Sequence, residues 1–143
     1  MTDTEFRTIA DKFLIRELID EYSNLCTRRT CDRLGELFIE DSLWRTRGAT
    51  YREFRGREAI VQAIGAVVLS YPLVVQMPHA PQIRLEGDRA SATTLMHEIG
   101  KLDNGTSSFA VGVYHDKFVR TEQGWKFAER LFEALHQETG QIR

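Results

Sequence analysis

Five candidates for moving protons or holding anions stand out in the second half of this 143-residue chain: His79, His97, Tyr114, Asp116 and Arg130. His79 lies between Pro78 and Pro81, which stiffen the backbone around it. An unperturbed imidazole, with a pKa of about 6.5, suits proton transfer at neutral pH. The competing reading of His79 is an exposed loop histidine beside a turn. His97 shares a strand face with Thr93, Leu95 and Ile99, so it reads as a site histidine or as one packed in a core or interface. Tyr114 can donate a hydrogen bond to a developing oxyanion, or simply pack. Asp116, two residues on, shares its face and can orient a histidine, act as a base or hold a structural bond. Arg130 can hold a carboxylate, a phenolate or a departing anion, unless it is tied up in an ion pair with Asp116. Trp44 and Tyr51 offer aromatic wall for a ligand, which is also ordinary core material.

These residues need elements to position them. From Glu5 to about Leu25, apolar residues (Phe6, Ile9, Phe13/Leu14, Leu18, Tyr22, Leu25) recur every three or four positions, predicting a long amphipathic helix. Thr30 can cap a second short helix, with Asp32 in its first turn, Leu34, Leu37 and Phe38 turned inward, and Asp41-Ser42 ending it. Leu43 to Arg47 reads as a short strand stopped by Gly48, and Arg57 to Leu69 as a third helix entered through Gly56. Strand patterns follow at Leu73–Met77, Gln82–Glu86 and Arg89–Leu102. After the Asp103-Asn104-Gly105 turn, Phe109–Arg120 and Trp125–Phe132 form a hairpin. On the first of these last two strands, Ala110, Gly112, Tyr114, Asp116 and Phe118 share one face, small at one end and polar in the middle like a cavity wall. Phe109, Val111, Val113 and His115 share the other. Helices first and antiparallel strands after them predict an α+β fold.

Composition narrows the classes of function. One domain spanning residues 1–143 is expected, burying roughly two-thirds of its unfolded surface. A net charge of -2 argues against an obligatory nucleic-acid partner, because phosphate binding needs clustered basic charge. No apolar run approaches the ~20 residues of a membrane span, and the polar N-terminus is unlike a signal peptide, so a cytoplasmic protein is expected. Cys26 and Cys31 lack metal or redox spacing and read as buried thiols. There is no nucleophile elbow, phosphate loop, dinucleotide fingerprint or His/Glu metal spacing, so neither metal nor cofactor is expected.

The order and spacing of several segments carry a resemblance. They are the helix ending Tyr22-Ser-Asn-Leu-Cys-Thr27, the stretch Asp32–Phe38, Trp44 after an acidic pair, Phe54–Ile60, and the hairpin with Tyr114, Asp116, Gly124-Trp125 and Arg130. Over nearly its whole length the chain resembles the SnoaL-like branch of the nuclear transport factor 2-like superfamily. The resemblance implies a cone-shaped, curved antiparallel sheet wrapped by three N-terminal helices and enclosing a pocket. It also implies a homodimer and side-chain acid/base chemistry on a small-molecule substrate without a cofactor. Tyr22, Thr27, Trp44 and Tyr51 would contact substrate, and His79, His97, Tyr114, Asp116 and Arg130 would carry the chemistry. Dehydratase-like and dehydrochlorinase-like members pair an Asp at the end of the first helix with a His on the strand after the third. Here those positions fall on Thr27 and near Pro78, with His79 one residue away. A hydroxyl cannot stabilise an imidazolium as a carboxylate does, so the usual dyad is broken or rebuilt.

Two classes of function follow from the resemblance. The first is a cofactor-independent lyase or isomerase acting on a small, largely apolar, aromatic or polycyclic substrate. The second is a non-catalytic ligand-binding or dimerisation module. A third reading is the small subunit of a ring-hydroxylating oxygenase, since such subunits share the fold.

Overall fold

The computed structural model describes residues 1–48 and 50–141. Helix α1 runs Asp3–Thr27 and opens on a capping box: the Glu5 backbone N–H donates to Thr2 Oγ1 (3.1 Å), and the Thr2 N–H donates to the Glu5 carboxylate (2.7 Å). Only its second half is core. Ile15, Leu18, Ile19, Tyr22, Leu25 and Cys26 are buried, whereas Phe6, Ile9, Phe13 and Leu14 stand more than half exposed. The apolar period is continuous along the helix, but the sheet beneath it ends first. At that limit Asp11 anchors the helix, accepting two hydrogen bonds from Arg120 and one from the Trp125 indole.

A 3₁₀ helix, Cys31–Leu37, follows with Cys31, Leu34 and Leu37 buried; Thr30 gives it no side-chain cap bond. Strand β1 runs Phe38–Arg47 and so begins five residues before the expected start. The pairing slips between Phe38 and Leu43, and this bulge breaks the period that marks a strand, leaving Asp41-Ser42 inside it. Strand β2, Arg52–Arg55, was not expected: three of its four residues are charged, as suits an exposed sheet edge. Helix α2, Arg57–Ser70, starts behind Gly56, whose φ of 88° favours glycine. Then come β3 (Leu73–Pro78), β4 (Gln82–Glu86), β5 (Arg89–Lys101), β6 (Ser107–Thr121) and β7 (Gly124–Gly140). Strand β7 extends eight residues beyond the expected Phe132, into a polar tail that pairs with β6 although it buries little.

The seven-stranded sheet is ordered β2-β1-β7-β6-β5-β3, with β4 also on β5. Every pair is antiparallel except β1 and β7, which run parallel, so the sheet is mixed and curved without closing. The N-terminal half of β5 pairs with β4 and its C-terminal half with β3. Two register shifts between β6 and β7 add to the bend. The three helices lie against the concave side. The face of β6 carrying Gly112, Tyr114, Asp116 and Phe118 turns inward and is buried. Gly112 is small for a different reason than a cavity wall would give: a Cβ there would meet the Phe132 ring and come within 2.6 Å of the Glu133 carbonyl.

Candidate functional site

A cavity of about 260 Å³ lies between the concave face of the sheet and α2. Strand alternation builds its walls. Met96 and Glu98 of β5 point inward, Gln76 of β3 stands in register with Glu98, and Tyr114 of β6 faces Phe132 of β7. Tyr22 from α1 and Trp44 from β1 complete an aromatic surround, and Arg47 and Arg52 sit at the mouth.

The polar chemistry inside is concentrated on one strand pair. The Gln76 amide donates to the Glu98 carboxylate at 2.9 Å, while Gln76's own backbone N–H donates to Thr27 Oγ1 at 3.0 Å. Thr27 therefore ties the end of α1 to β3 and does not line the cavity. Burial pushes the Glu98 carboxyl above the usual carboxylate range, and the Gln76 hydrogen bond only partly offsets this. A carboxyl so placed keeps its proton to higher pH and, once ionised, is a stronger base. Burial likewise raises the Tyr22 and Tyr114 phenols, whose hydroxyls neighbour each other. Two buried polar atoms of the lining, Trp44 Nε1 and Gln76 Oε1, have no hydrogen-bond partner among the described residues. One is a donor and the other an acceptor, so the cavity can fix the orientation of a polar ligand group.

Arg130 and Asp116 lie beneath the cavity rather than in it. Both side chains are fully buried, and the guanidinium donates to the carboxylate at 2.8 and 3.2 Å. Arg130 Cζ sits 3.7 Å from the Tyr114 ring centroid, 4.3 Å from Tyr22 and 4.4 Å from Phe127. Its Nη1 has no hydrogen-bond partner among the described residues, and the guanidinium lies among aromatic faces, a favourable place for a cation. Burial pushes the Asp116 carboxyl up and Arg130 pulls it back. Arg130 stays charged within this pair because a guanidinium does not lose its proton at neutral pH. It is a platform under the two tyrosines.

The histidines are elsewhere. His79 and His97 lie on the outer face of the sheet, joined by a 2.6 Å contact between His79 Nε2 and His97 Nδ1, and neither lines the cavity. His79 follows the end of β3, and its backbone N–H donates to the Leu95 carbonyl; His97 points outward because Met96 and Glu98 point in. Tyr51 is 66% exposed in the turn before β2 and stays outside the lining. Of the residues singled out from sequence, the structure brings together Tyr22, Trp44 and Tyr114. It adds Gln76 and Glu98, which sequence reasoning passed over. The missed signal was Glu98 as the one charged side chain in the inward row Ala90, Ala92, Thr94, Met96, Glu98. Cys26 and Cys31 are free and buried, as expected.

Residues 7–131 match the SnoaL-like domain. The chain belongs to the SnoaL-like family. A relative by sequence is the uncharacterized protein Rv2910c of Mycobacterium tuberculosis, 27% identical over 129 residues, covering 86% of this chain and 84% of that protein. Among solved structures, this SnoaL-like chain superposes on a scytalone dehydratase-like protein of Novosphingobium aromaticivorans with a TM-score of 0.82 at 19% identity, covering 100% of this chain and 94% of the other. A hexachlorocyclohexane dehydrochlorinase, LinA type 2, gives a TM-score of 0.85 at 17% identity, covering 94% and 92%. At these identities the likeness is one of fold. Among the described residues, no helix is long and apolar enough to cross a membrane.

Proposed function

We propose that this SnoaL-like protein is a cofactor-independent lyase or isomerase in which Glu98, not a histidine, moves the proton. The observation that carries this reading is a carboxyl buried in the wall of an aromatic cavity, held by one amide and pushed toward its protonated form. Fold relatives that include a dehydrochlorinase support the reaction class. In the reaction, ionised Glu98 takes a proton from carbon next to an activating group, and the freed electron pair forms the new double bond. A small leaving group then departs, or the proton is returned at another carbon. The Trp44 indole N–H and the tyrosine hydroxyls are the donors available to a developing oxyanion. Arg130 and Asp116 act as positioning residues by fixing Tyr22 and Tyr114.

The cavity accommodates a ligand on the order of ten non-hydrogen atoms, taking about 30 Å³ for each water-sized volume. That size favours one or two rings over a larger polycycle. One domain, a cytoplasmic location and a homodimer complete the proposal.

A second reading is a non-catalytic small-ligand-binding module. It draws on the same two unpartnered polar atoms, which orient a ligand whether or not chemistry follows. Glu98→Gln separates the two readings. The amide keeps the shape but cannot accept the proton, so the expected result is turnover reduced by about 10²–10⁴-fold with ligand binding and melting temperature little changed. For the wild type, kcat should rise with pH through a midpoint above the usual glutamate range. Undiminished turnover in Glu98→Gln would remove Glu98 from the mechanism; ligand binding with no turnover in the wild type would favour the binding module.

A further inference from the structure

We infer that His79, His97 and Met77 form a binding site for a late first-row transition-metal ion on the outer face of the sheet, with copper(II) bound most tightly. Two imidazole nitrogens, His79 Nε2 and His97 Nδ1, already face each other at 2.6 Å. One further residue supports them. Met77 stands directly opposite His97 in the β3–β5 register, and it lies two residues before His79 on the same outward side. Its side chain is 39% exposed, which leaves the thioether free to turn toward the imidazole pair. The set is two borderline nitrogens with one soft sulfur, a donor combination suited to copper.

The pair has no other evident task. His115 and His136 each face a glutamate, Glu133 and Glu138 respectively. Neither His79 nor His97 has a carboxylate partner among the described residues. The outward positions around them are apolar: Val75 on β3 and Leu95 and Ile99 on β5. Glu98, next to His97 in sequence, points to the opposite face and into the cavity. The geometry is also partly preorganised. The His79 backbone is pinned by its bond to the Leu95 carbonyl at 2.8 Å, and the His97 ring rests on Phe109 with centroids 5.8 Å apart.

Metal–nitrogen bonds of about 2.0–2.1 Å place two ligand nitrogens about 2.9 Å apart at a right angle and about 3.3 Å apart at a tetrahedral angle. The present separation must therefore open by less than about 1 Å, within reach of side-chain torsion for the exposed His79 ring. The proton balance is simple. In the hydrogen-bonded pair one of the two facing nitrogens carries a proton. When both rings are neutral, the donor ring shifts its proton to its other nitrogen on metal binding, so both facing lone pairs reach the ion with no net proton release.

The test is titration of the purified protein with glycine-buffered copper(II), followed by calorimetry and electron paramagnetic resonance. One copper per chain is expected, with hyperfine coupling to two imidazole nitrogens. His79→Ala and His97→Ala should each weaken binding by at least about tenfold, since even outer-shell changes cost about 10–100-fold at metal sites. Met77→Leu should weaken it less, and zinc(II) should bind more weakly than copper(II). His79 is exposed, so its variant should melt with the wild type and report binding alone. Wild-type affinity in both histidine variants would overturn the site, as would loss of binding only on changing His115 or His136. Absence of stoichiometric uptake at micromolar protein would overturn it too.

Discussion

Arg130→Met tests whether the buried cation is a platform or a substrate ligand. Methionine approximates the length and apolar stem of arginine but leaves Asp116 buried and unpaired, because both of its hydrogen bonds come from Arg130. Breaking one partner out of a buried ion pair costs about 3–5 kcal/mol. The contacts to Tyr22, Tyr114 and Phe127 add to the loss, although methionine recovers part of that packing. With unfolding entropy of about 2.1 cal/mol/K per residue, a chain of this length gains or loses about 3 °C per kcal/mol. The expected fall in melting temperature is therefore roughly 10–17 °C.

The loss should also depend on pH in a defined direction. Without Arg130, burial at Asp116 is opposed only by the lesser charge effect of His115, and the carboxyl pKa in the folded state rises further above the unfolded value. The native state then holds a proton that the unfolded state releases, so stability falls as pH rises through that window. Lowering the pH protonates Asp116 and should return part of the lost stability relative to wild type. Denaturant unfolding at several pH values measures both effects, with the m-value confirming an unchanged native state. A destabilisation under about 1 kcal/mol that does not vary with pH would refute the platform role. A raised KM for anionic ligands alone, with stability intact, would return Arg130 to the binding machinery.

The remaining predictions concern packing and assembly. Gly112→Ala should destabilise the fold by about 1–3 kcal/mol, because its Cβ meets Phe132 and the Glu133 carbonyl; denaturant unfolding equal to wild type would show that β7 can shift. The outer sheet face leaves Leu73, Leu95 and Leu135 at least 40% exposed, and a second copy is expected to cover part of it. Sedimentation should therefore give a dimer at micromolar concentration, and a monomer would remove that expectation.

The fold was legible because its signals are periodic and local. The turn at Asp103-Asn104-Gly105 and the alternation of β4 fall where the sequence places them. What stayed hidden has physical causes. The bulge in β1 breaks the two-residue period, β2 is short and charged at an edge, and the tail of β7 forms by pairing rather than by burial. The site was harder to see, since histidine attracts attention by its titration alone. A one-residue step along a strand reverses the face, and that step separates His97 outside from Glu98 inside. No count of titratable residues reveals it without the alternation.

That reversal divides the labour of β5. Its inner row carries a carboxyl whose proton affinity is raised by burial, and its outer row places a half-buried imidazole against a second, exposed one. The two sites therefore share a backbone but not an electrostatic environment. An ion at the outer pair lies across the sheet from Glu98, separated by one strand thickness. Its positive charge would favour the ionised carboxylate and lower the midpoint of the pH–rate profile. If a second copy covers the part of the outer face that carries this pair, metal binding and dimerisation are thermodynamically linked. If copper bridges the copies it must strengthen the dimer, and if the copies cover the pair it must weaken the dimer. Sedimentation with and without copper, using His79→Ala as the control, reads the sign of that linkage directly.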